Sequence, residues 1–411
     1  MASALPAFQA ESQRHPIVLA AGGTGGHVFP AEALAEALRA RGYTLALFTD
    51  KRGEAYKGEL GQLPTHRISA SRVSGGMLNR VKGALSLVAG AAQSRRLFRA
   101  LKPSVVVGFG GYPSVPVMWA ATGLRIPTVI HEQNALMGRA NRLLASRVTA
   151  IATSFPEVAG IKPADRAKAV MTGNPVRSAV RALRDTPYVA PGPQGAIRIL
   201  VTGGSQGATV FATVVPQALE RLPDEIRRRI EVSQQARPED VNAVRAAYAK
   251  SGIRAEVAPF FGDLASRLGA THLFIGRAGA STIAEITCAG RPAILVPYPH
   301  AADDHQTANA RALDSAHAAI LMPQPDFVAE TLASRLKLLL GHPPNLARLA
   351  EAAKALGTAD AAGNLAILVA GLCPARTVLA REEERKNGAG GNTDAPSAAH
   401  RTSVGGKAVP A

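Results

Sequence analysis

The sequence predicts an α/β protein with two parallel-sheet domains, and three observations lead to this fold class. Short β-branched or apolar runs alternate with longer stretches of helical period, a pattern typical of parallel sheets wrapped by helices. The order of strand, glycine turn and helix at residues 17–38 returns at residues 197–219. A chain of 411 residues with 47% hydrophobic content is also long enough to bury two separate cores.

The elements follow one another regularly along both halves. In the first half the predicted strands are PIVLAA, TLALFT, SVVVGF, PTVIHE and VTAIAT. In the second half they are IRILVT, RIEVSQQ, AEVAPF, THLFIG, PAILVPY and AAILMP. We expect domains at 15–177 and 178–356, with the Pro- and Gly-rich residues 184–196 as a linker. Residues 1–14 and the polar, low-complexity residues 381–411 are predicted to be disordered.

Composition narrows the classes of function. Lys and Arg outnumber Asp and Glu by 47 to 30, so the net charge of +17 favours an anionic partner such as phosphates, nucleic acid or a membrane surface. The two cysteines, Cys288 and Cys373, lie far apart, which predicts neither a disulfide scaffold nor a zinc site. No apolar run reaches the roughly 18 residues of a spanning helix, and the N-terminus lacks a signal-peptide pattern. We therefore expect a globular cytosolic protein.

The first glycine turn, GGTGGH at residues 22–27, predicts an anion-binding cradle. Small residues after a strand let backbone amides approach a ligand, and the following helix adds positive partial charge. A structural turn with His27 as a cap remains an alternative. The dinucleotide fingerprint fails because it needs a third glycine at Val28. Asp50, at the end of the second predicted strand, still keeps a nicotinamide-binding alternative open.

Five further motifs follow predicted strands in the same way. They are GFGGYPS at 108–114, HEQN at 131–134, GNPVR at 173–177, GGSQGA at 203–208 and GRAGASTIAEITCAG at 276–290. In open α/β sheets, ligands bind at the carboxyl ends of the strands. The sequence therefore predicts that the two halves face each other across one ligand-binding cleft.

Together, and in this order, the motifs resemble a bacterial cell-wall family, the undecaprenyldiphospho-muramoylpentapeptide β-N-acetylglucosaminyltransferases. The resemblance covers roughly residues 15–375. It implies the GT-B fold, in which two Rossmann-like domains face across a cleft, with the donor site chiefly in the C-terminal domain. It also implies a final helix, residues 357–380, that crosses back to the N-terminal domain. The implied reaction is inverting transfer of N-acetylglucosamine from UDP-GlcNAc to lipid I, forming lipid II.

The resemblance also implies roles for individual residues. His27 matches the candidate general base, Glu285 the acid that holds the ribose hydroxyls, and Phe261 the position whose backbone reads uracil. The neighbour of Gln306 is His305, where the family has glutamine, so this sugar contact departs from the family pattern. The full set implied to bind UDP-GlcNAc is Thr24, Gly25, Gly26, Asn134, Arg177, Ser205, Phe261, Ala280, Ser281, Thr282, Glu285 and Gln306.

Simpler interpretations of single residues stay open on the sequence alone. Glu285 could be an acid that stabilises the helix N-terminus, and Arg177 could be a surface charge. The chain contains no Asp-x-Asp pair that would present a metal-bound diphosphate. We therefore expect no cofactor and no obligatory metal bound by protein carboxylates.

A second signal concerns the acceptor. The window from Leu60 to His131 contains no Asp or Glu but nine basic residues. Within it, residues 75–98 mix apolar side chains such as Leu85 and Val88 with Arg80 and Lys82, which predicts peripheral attachment to an anionic membrane. An ordinary core helix with a solvated basic face is the alternative. Nucleic acid is not expected, because only 4% of residues are aromatic and no nucleic-acid module is recognisable.

The favoured interpretation is thus a lipid-acceptor glycosyltransferase at the cytoplasmic face of the inner membrane, with UDP-GlcNAc and lipid I as partners. Three alternatives remain from the sequence. A UDP-GlcNAc 2-epimerase shares the two-domain fold but gives no reason for a basic apolar face. Another UDP-sugar-dependent lipid glycosyltransferase would keep that face. A non-catalytic UDP-sugar binder recruited to the membrane would have both the two-domain fold and the basic apolar face.

Overall fold

The computed structural model describes residues 15–22, 25–50, 58–71, 76–204 and 207–373. The disorder predicted for residues 1–14 and 381–411 lies outside these residues. So do two residues of the predicted donor site, Thr24 and Ser205.

The N-terminal domain is built on a parallel sheet of seven strands, in the order β3-β2-β1-β4-β5-β6-β7. Hydrophobic residues fill the central strands, which are buried on both faces. The strands are β1 Ile17–Ala20, β2 Leu45–Thr49, β3 Thr65–Arg67, β4 Val105–Gly108, β5 Thr128–Glu132, β6 Ala150–Thr153 and β7 Ala169–Met171.

Helices cover both faces of this sheet. The described helices are α1 Gly25–Arg39, α2 Gly58–Gly61, α3 Met77–Leu101, α4 Gly111–Gly123 and α5 Arg139–Leu144, with a 3₁₀ helix at Pro163–Lys168. The long helix α3 packs on α4. A helical turn, α6 at Ser178–Arg181, and a 3₁₀ helix at Ala182–Asp185 follow β7 and lead to the second domain.

The C-terminal domain repeats the plan with six parallel strands, in the order β10-β9-β8-β11-β12-β13. The strands are β8 Ile197–Thr202, β9 Ile230–Gln235, β10 Arg254–Ala258, β11 Leu273–Gly276, β12 Ala293–Leu295 and β13 Ile320–Leu321. The helices are α7 Thr209–Glu220, α8 Asp224–Arg227, α9 Val241–Lys250, α10 Leu264–Ala270, α11 Ala280–Ala289, α12 His305–Ser315, α13 Ala329–Gly341, α14 Pro343–Leu356 and α15 Ala361–Gly371. Two 3₁₀ helices lie at Ala302–Asp304 and Gln324–Asp326.

In both sheets the order of successive strands reverses at one strand pair, β1–β4 in the first sheet and β8–β11 in the second. At such a point the loops after the two strands diverge and leave a crevice at the carboxyl edge of the sheet. The glycine motifs follow β1, β4, β8 and β11, so they line these crevices. The predicted fold class, two Rossmann-like parallel-sheet domains facing across a cleft, is confirmed.

The last helix returns to the first domain. Asp360 caps α15 by accepting a hydrogen bond from the backbone N–H of Gly363 at 3.1 Å. Beyond this cap, apolar residues of α15 such as Leu365 and Val369 join the buried cluster that contains Leu34 of α1. The apolar character of α15 is explained by this docking.

The predicted linker at 184–196 lies on the C-terminal domain and does not join the two domains. Tyr188 donates its hydroxyl to the carbonyl of His272 at 3.0 Å, and Arg229 donates to the carbonyl of Gly195 at 2.8 Å. The change of domain comes earlier, because α6, which contains Val180, already packs on α11 of the C-terminal domain. Pro and Gly correctly predicted irregular backbone here, but irregular backbone is not by itself a domain boundary.

Candidate active site

A cleft of about 1910 Å³ separates the two domains and is lined by loops from both sheets. Ten of the residues predicted from the sequence line it. Gly25 begins α1. The ten are Gly26, His27, Asn134, Arg177, Phe261, Ala280, Ser281, Thr282, Glu285 and Gln306.

His27 lies in the first turn of α1, against the loop that follows β4. Gly110 and Gly111 of this loop have φ values of 87° and 70°, and a Cβ at Gly110 would stand 3.3 Å from Cε1 of His27. Burial lowers the pKa of His27, while the Phe109 carbonyl and the Gln133 side chain act in the opposite direction. The imidazole is therefore neutral near pH 7, which is the form that accepts a proton.

A buried histidine lies behind His27. The side-chain nitrogen of Gln133 donates to the Phe109 carbonyl at 2.8 Å and to Nδ1 of His131 at 3.1 Å. Nε2 of His131 donates in turn to the Gly173 carbonyl at 3.1 Å. Burial lowers the pKa of His131 to about 4, so this histidine stays neutral. The network fixes the Phe109 carbonyl and the Gln133 side chain, the two groups that border the imidazole of His27.

The carboxylate of Glu132 shapes the HEQN loop. It accepts hydrogen bonds from the backbone N–H groups of Asn134 at 3.0 Å and Gly138 at 2.9 Å. The side-chain amides of Asn134 and Asn141 also donate to it, at 3.2 and 2.8 Å. Burial raises the pKa of Glu132, whereas these hydrogen bonds lower it. Glu132 therefore holds the loop in place at the edge of the cleft.

The opposite wall is the N-terminus of α11. This helix begins at Ala280, and none of the described side chains caps its first amides. The Ser281 hydroxyl is buried, and its oxygen has no hydrogen-bond partner among the described residues. Open amides, a helix dipole and an unpaired hydroxyl together make an anion-binding site.

Glu285 lies one turn further along α11 and is paired with Arg177. Nη2 of Arg177 donates to its Oε1 at 2.7 Å, and Nε donates to the same oxygen at 3.2 Å. The guanidinium also lies over the ring of Phe29, 5.5 Å from its centroid. Burial raises the pKa of Glu285, and the charge of Arg177 opposes this. Neither residue fits the simpler interpretation, because Glu285 caps no helix end and Arg177 is half-buried in the cleft.

Gln306 and His305 open α12 on the same wall of the cleft. The Gln306 Oε1 accepts the backbone N–H of Tyr298 at 2.9 Å, which leaves its side-chain nitrogen as the donor for a ligand. Nδ1 of His305 donates to the Ala302 carbonyl at 2.7 Å. Both side chains line the cleft.

Asn309 joins the two walls and was not predicted from the sequence. It is fully buried, and its side-chain nitrogen donates to Oδ1 of Asn134 at 3.0 Å and to the Ala278 carbonyl at 3.1 Å. Its Oδ1 accepts the backbone N–H of Ala135 at 2.8 Å. Asn134 is thus held between Glu132 of its own domain and Asn309 of the other.

The structure also describes Asp50 and Phe261, two residues for which possible ligand-binding roles were inferred from the sequence. Asp50 is buried and accepts the hydroxyl of Tyr112 at 3.1 Å, so the acid considered for nicotinamide binding supports a cleft tyrosine. Phe261 is buried beneath the guanidinium of Arg267, 4.1 Å from its ring centroid. Among the described residues, no group of three or more His, Cys, Asp or Glu side chains could hold a metal ion.

Helix α3 presents an apolar stripe to solvent. Val81, Leu85 and Val88 recur at helical spacing and are 49%, 64% and 64% exposed. Small residues on the other side of the helix, such as Gly90, are buried against the domain. The helix thus has two sides, since Phe98 is 2% exposed and packs in the core while this stripe faces solvent. In the part of the chain that the structure describes, no helix is long and apolar enough to span a membrane.

Comparison with known proteins agrees with this geometry. Two family models match the chain: the glycosyltransferase family 28 N-terminal domain over residues 17–153, and the family 28 C-terminal domain over residues 198–365. A UDP-N-acetylglucosamine–N-acetylmuramyl-(pentapeptide) pyrophosphoryl-undecaprenol N-acetylglucosamine transferase of Rhodospirillum centenum is 60% identical. That alignment covers 87% of this chain and 94% of the relative.

Solved structures agree as well. The crystal structure of Acinetobacter baumannii MurG superposes with a TM-score of 0.71 at 31% identity, covering 86% of this chain and 99% of the other. A UDP-GlcNAc 2-epimerase from Neisseria meningitidis bound to UDP-GlcNAc has a TM-score of 0.60 at 12% identity, covering 85% and 99%. The epimerase therefore shares the fold alone.

The fold, the facing walls of the cleft and the two family 28 matches define a glycosyltransferase of the GT-B class. More narrowly, the chain belongs to the MurG family of N-acetylglucosamine transferases. The resemblance inferred from the motifs is confirmed.

Proposed function

We propose that the cleft transfers N-acetylglucosamine from UDP-GlcNAc to the muramyl-pentapeptide of lipid I, with inversion at the anomeric carbon. One observation carries the proposal. A neutral histidine on the N-terminal wall lies across the cleft from a helix N-terminus without a described side-chain cap and from the half-buried Arg177–Glu285 pair. A single displacement needs these two components, a base for the acceptor hydroxyl and a positive site for the departing diphosphate.

On the acceptor side, His27 takes the proton of the attacking sugar hydroxyl. The acceptor oxygen then bonds to the anomeric carbon while the bond from that carbon to the diphosphate breaks. The glycine pair at 110–111 lets the loop approach the imidazole, and Gln133 holds this loop through the Phe109 carbonyl.

On the donor side, the amides of Ala280 and Thr282 and the hydroxyl of Ser281 bind the diphosphate as its negative charge grows. Glu285 accepts hydrogen bonds from the ribose hydroxyls through the oxygen that Arg177 leaves free. The side-chain nitrogen of Gln306 donates to the transferred sugar. The backbone of Phe261 binds uracil.

Incubation with labelled UDP-GlcNAc, with and without lipid I, tests the proposal. UDP release that depends on the acceptor, together with label in the lipid product, is the expected result. Acceptor-free conversion of the donor to its 2-epimer would identify an isomerase. Binding without turnover of either kind would identify a UDP-sugar binder.

The pH dependence of kcat/KM follows from the environment of His27. Because burial lowers its pKa, the base stays neutral to a lower pH than an exposed histidine would. We expect the acid limb of the profile to have its midpoint below pH 6.5, and we expect this limb to vanish in His27→Ala. A midpoint at or above pH 6.5 would contradict the assignment. Stopped assays from pH 4.5 to 8 with subsaturating acceptor measure this, since kcat/KM reports ionisations of the free enzyme.

We also propose that the exposed face of α3 binds an anionic leaflet, which places the enzyme at the cytoplasmic face of the inner membrane. The stripe of Val81, Leu85 and Val88 continues along the helix into exposed Arg96 and Arg99. No acidic residue occurs from Leu60 to His131, so nothing in this window neutralises these cations. Apolar side chains ringed by cations bind anionic bilayers, at about 1 kcal/mol per cation near the surface.

Charge reversal separates the electrostatic part of this attachment from the apolar part. Lys82→Glu with Arg96→Glu is expected to reduce flotation with phosphatidylglycerol vesicles, and salt should diminish the difference from wild type. Leu85→Asp should weaken flotation with little salt dependence, because it removes apolar insertion.

Helix α13 of the other domain supplies matched controls. Its exposed residues allow Arg335→Glu with Lys337→Glu, and Leu338→Asp at a side chain that is 58% exposed. The controls should float like wild type. Equal losses in both sets would mean that total charge, and not the face of α3, determines binding.

A further inference from the structure

We propose that Asn141 binds the acceptor directly, its Oδ1 accepting a hydrogen bond from an N–H or O–H group of the muramyl-peptide. The inference rests on the proposed function. It assigns an acceptor contact to a residue that belongs neither to the sequence motifs nor to the implied donor site.

The orientation of the Asn141 amide is fixed. This residue of α5 is 3% exposed, and its side-chain nitrogen donates to the His131 carbonyl at 3.1 Å and to Oε2 of Glu132 at 2.8 Å. A flipped amide would place its oxygen against two groups that only accept hydrogen bonds. Both hydrogens of the side-chain nitrogen are therefore used within the protein, and Oδ1 is the atom left to accept a hydrogen bond.

That oxygen has no partner. Among the described residues, Oδ1 of Asn141 is one of the few buried side-chain atoms without a hydrogen bond. Buried acceptors are nearly always paired, since an unpaired one has lost its water and gained nothing in exchange. Two other atoms in this condition belong to His27 and Ser281, which line the same cleft.

Asn141 lies beside the base. At Gly110, where a Cβ would stand, Nδ1 of His27 is 3.5 Å away and Nδ2 of Asn141 is 3.7 Å away. Both residues line the cleft. A substrate hydroxyl that reaches His27 therefore brings its neighbouring groups close to Asn141.

The location favours the acceptor over the donor. The described hydrogen bonds of Asn141 all stay within the N-terminal domain, in contrast to those of Asn134, which is tied to Asn309 of the donor domain. Close to the attacking hydroxyl, the muramyl-peptide carries three hydrogen-bond donors, two on the sugar and one at the start of the peptide. These are the 6-hydroxyl, the acetamido N–H and the first peptide N–H.

The test pairs Asn141→Ala with acceptors that each lack one of these donors: a 6-deoxy sugar, an N-methylated acetamide and an N-methylated first peptide bond. With intact acceptor, the variant is expected to lose about tenfold in kcat/KM for the acceptor, as for one hydrogen bond, with unchanged UDP-GlcNAc affinity. For one analogue, kcat/KM of the wild type should fall by a similar factor. The kcat/KM of Asn141→Ala should be the same for that analogue as for the intact acceptor. That analogue identifies the bound group.

Two results would overturn the proposal. In the first, wild type and variant lose the same factor on every analogue, as expected if a bound water satisfies Oδ1. In the second, Asn141→Ala lowers donor affinity and acceptor kcat/KM together, as expected for a structural role through Glu132.

A second variant protects the test against misfolding. Asn141→Leu keeps a branched side chain without its polar atoms, and unfolding temperatures of both variants are compared with wild type. If both variants unfold at a much lower temperature than wild type, the analogue series on wild type alone decides. Wild-type rates with all three analogues equal to the rate with intact acceptor would then reject the contact. Absence of acceptor-dependent UDP release in wild type would instead reject the proposed function itself.

Discussion

Replacing His27 with alanine is expected to lower kcat by a factor of about 10² to 10⁴, the usual contribution of a general base. The donor wall lies on the other domain, so UDP affinity measured by calorimetry should change little. The burial that keeps the imidazole neutral also supports this role, because a cationic histidine could not accept the acceptor proton.

A histidine outside the cleft gives the matched control. His342 is exposed at the start of α14, and His342→Ala should keep wild-type turnover. Turnover of His27→Ala within a factor of two of this control would remove His27 from the mechanism.

Replacing Glu285 with alanine is expected to weaken UDP-GlcNAc binding by roughly 10- to 100-fold, because hydrogen bonds to a charged carboxylate are among the stronger ones. The change also leaves the half-buried Arg177 without its carboxylate partner. Calorimetric titration with UDP-GlcNAc measures the loss, and kcat at saturating donor should fall much less than kcat/KM.

The control removes a carboxylate of the same kind outside the cleft. Glu330 on α13 pairs with Arg221 at 2.8 Å, and both side chains are exposed. Glu330→Ala should leave donor affinity unchanged. If Glu285→Ala binds UDP-GlcNAc as well as this control does, Glu285 does not hold the ribose.

The strands that the sequence predicted correctly are the buried central ones, because short continuous apolar runs between turn residues are typical of strands buried on both faces. The sequence predicted neither β3 nor β7, which are three-residue edge strands with largely exposed side chains. Edge strands are short and often polar, so their local pattern resembles that of a loop. Their position depends on pairing with β2 and β6, which only the folded sheet supplies.

The residues of α11 that line the cleft were predictable because they follow β11 in one contiguous motif, GRAGASTIAE. Asn309 and Asn141 were not predictable in this way. Asn309 meets Asn134 across 175 positions and depends on how the domains dock. Asn141 lies ten residues after His131, and its importance comes from one unpaired oxygen that no spacing reveals.

The linkage formed by the enzyme tests the central claim most directly. With ¹³C-labelled UDP-GlcNAc and lipid I, the anomeric proton coupling of the lipid product reports the configuration at the transferred carbon. Direct displacement by a hydroxyl activated at His27 predicts a β-linked disaccharide and one UDP released for each linkage. An α-linked product, or label accumulating in free epimer without acceptor, would contradict a single displacement across this cleft.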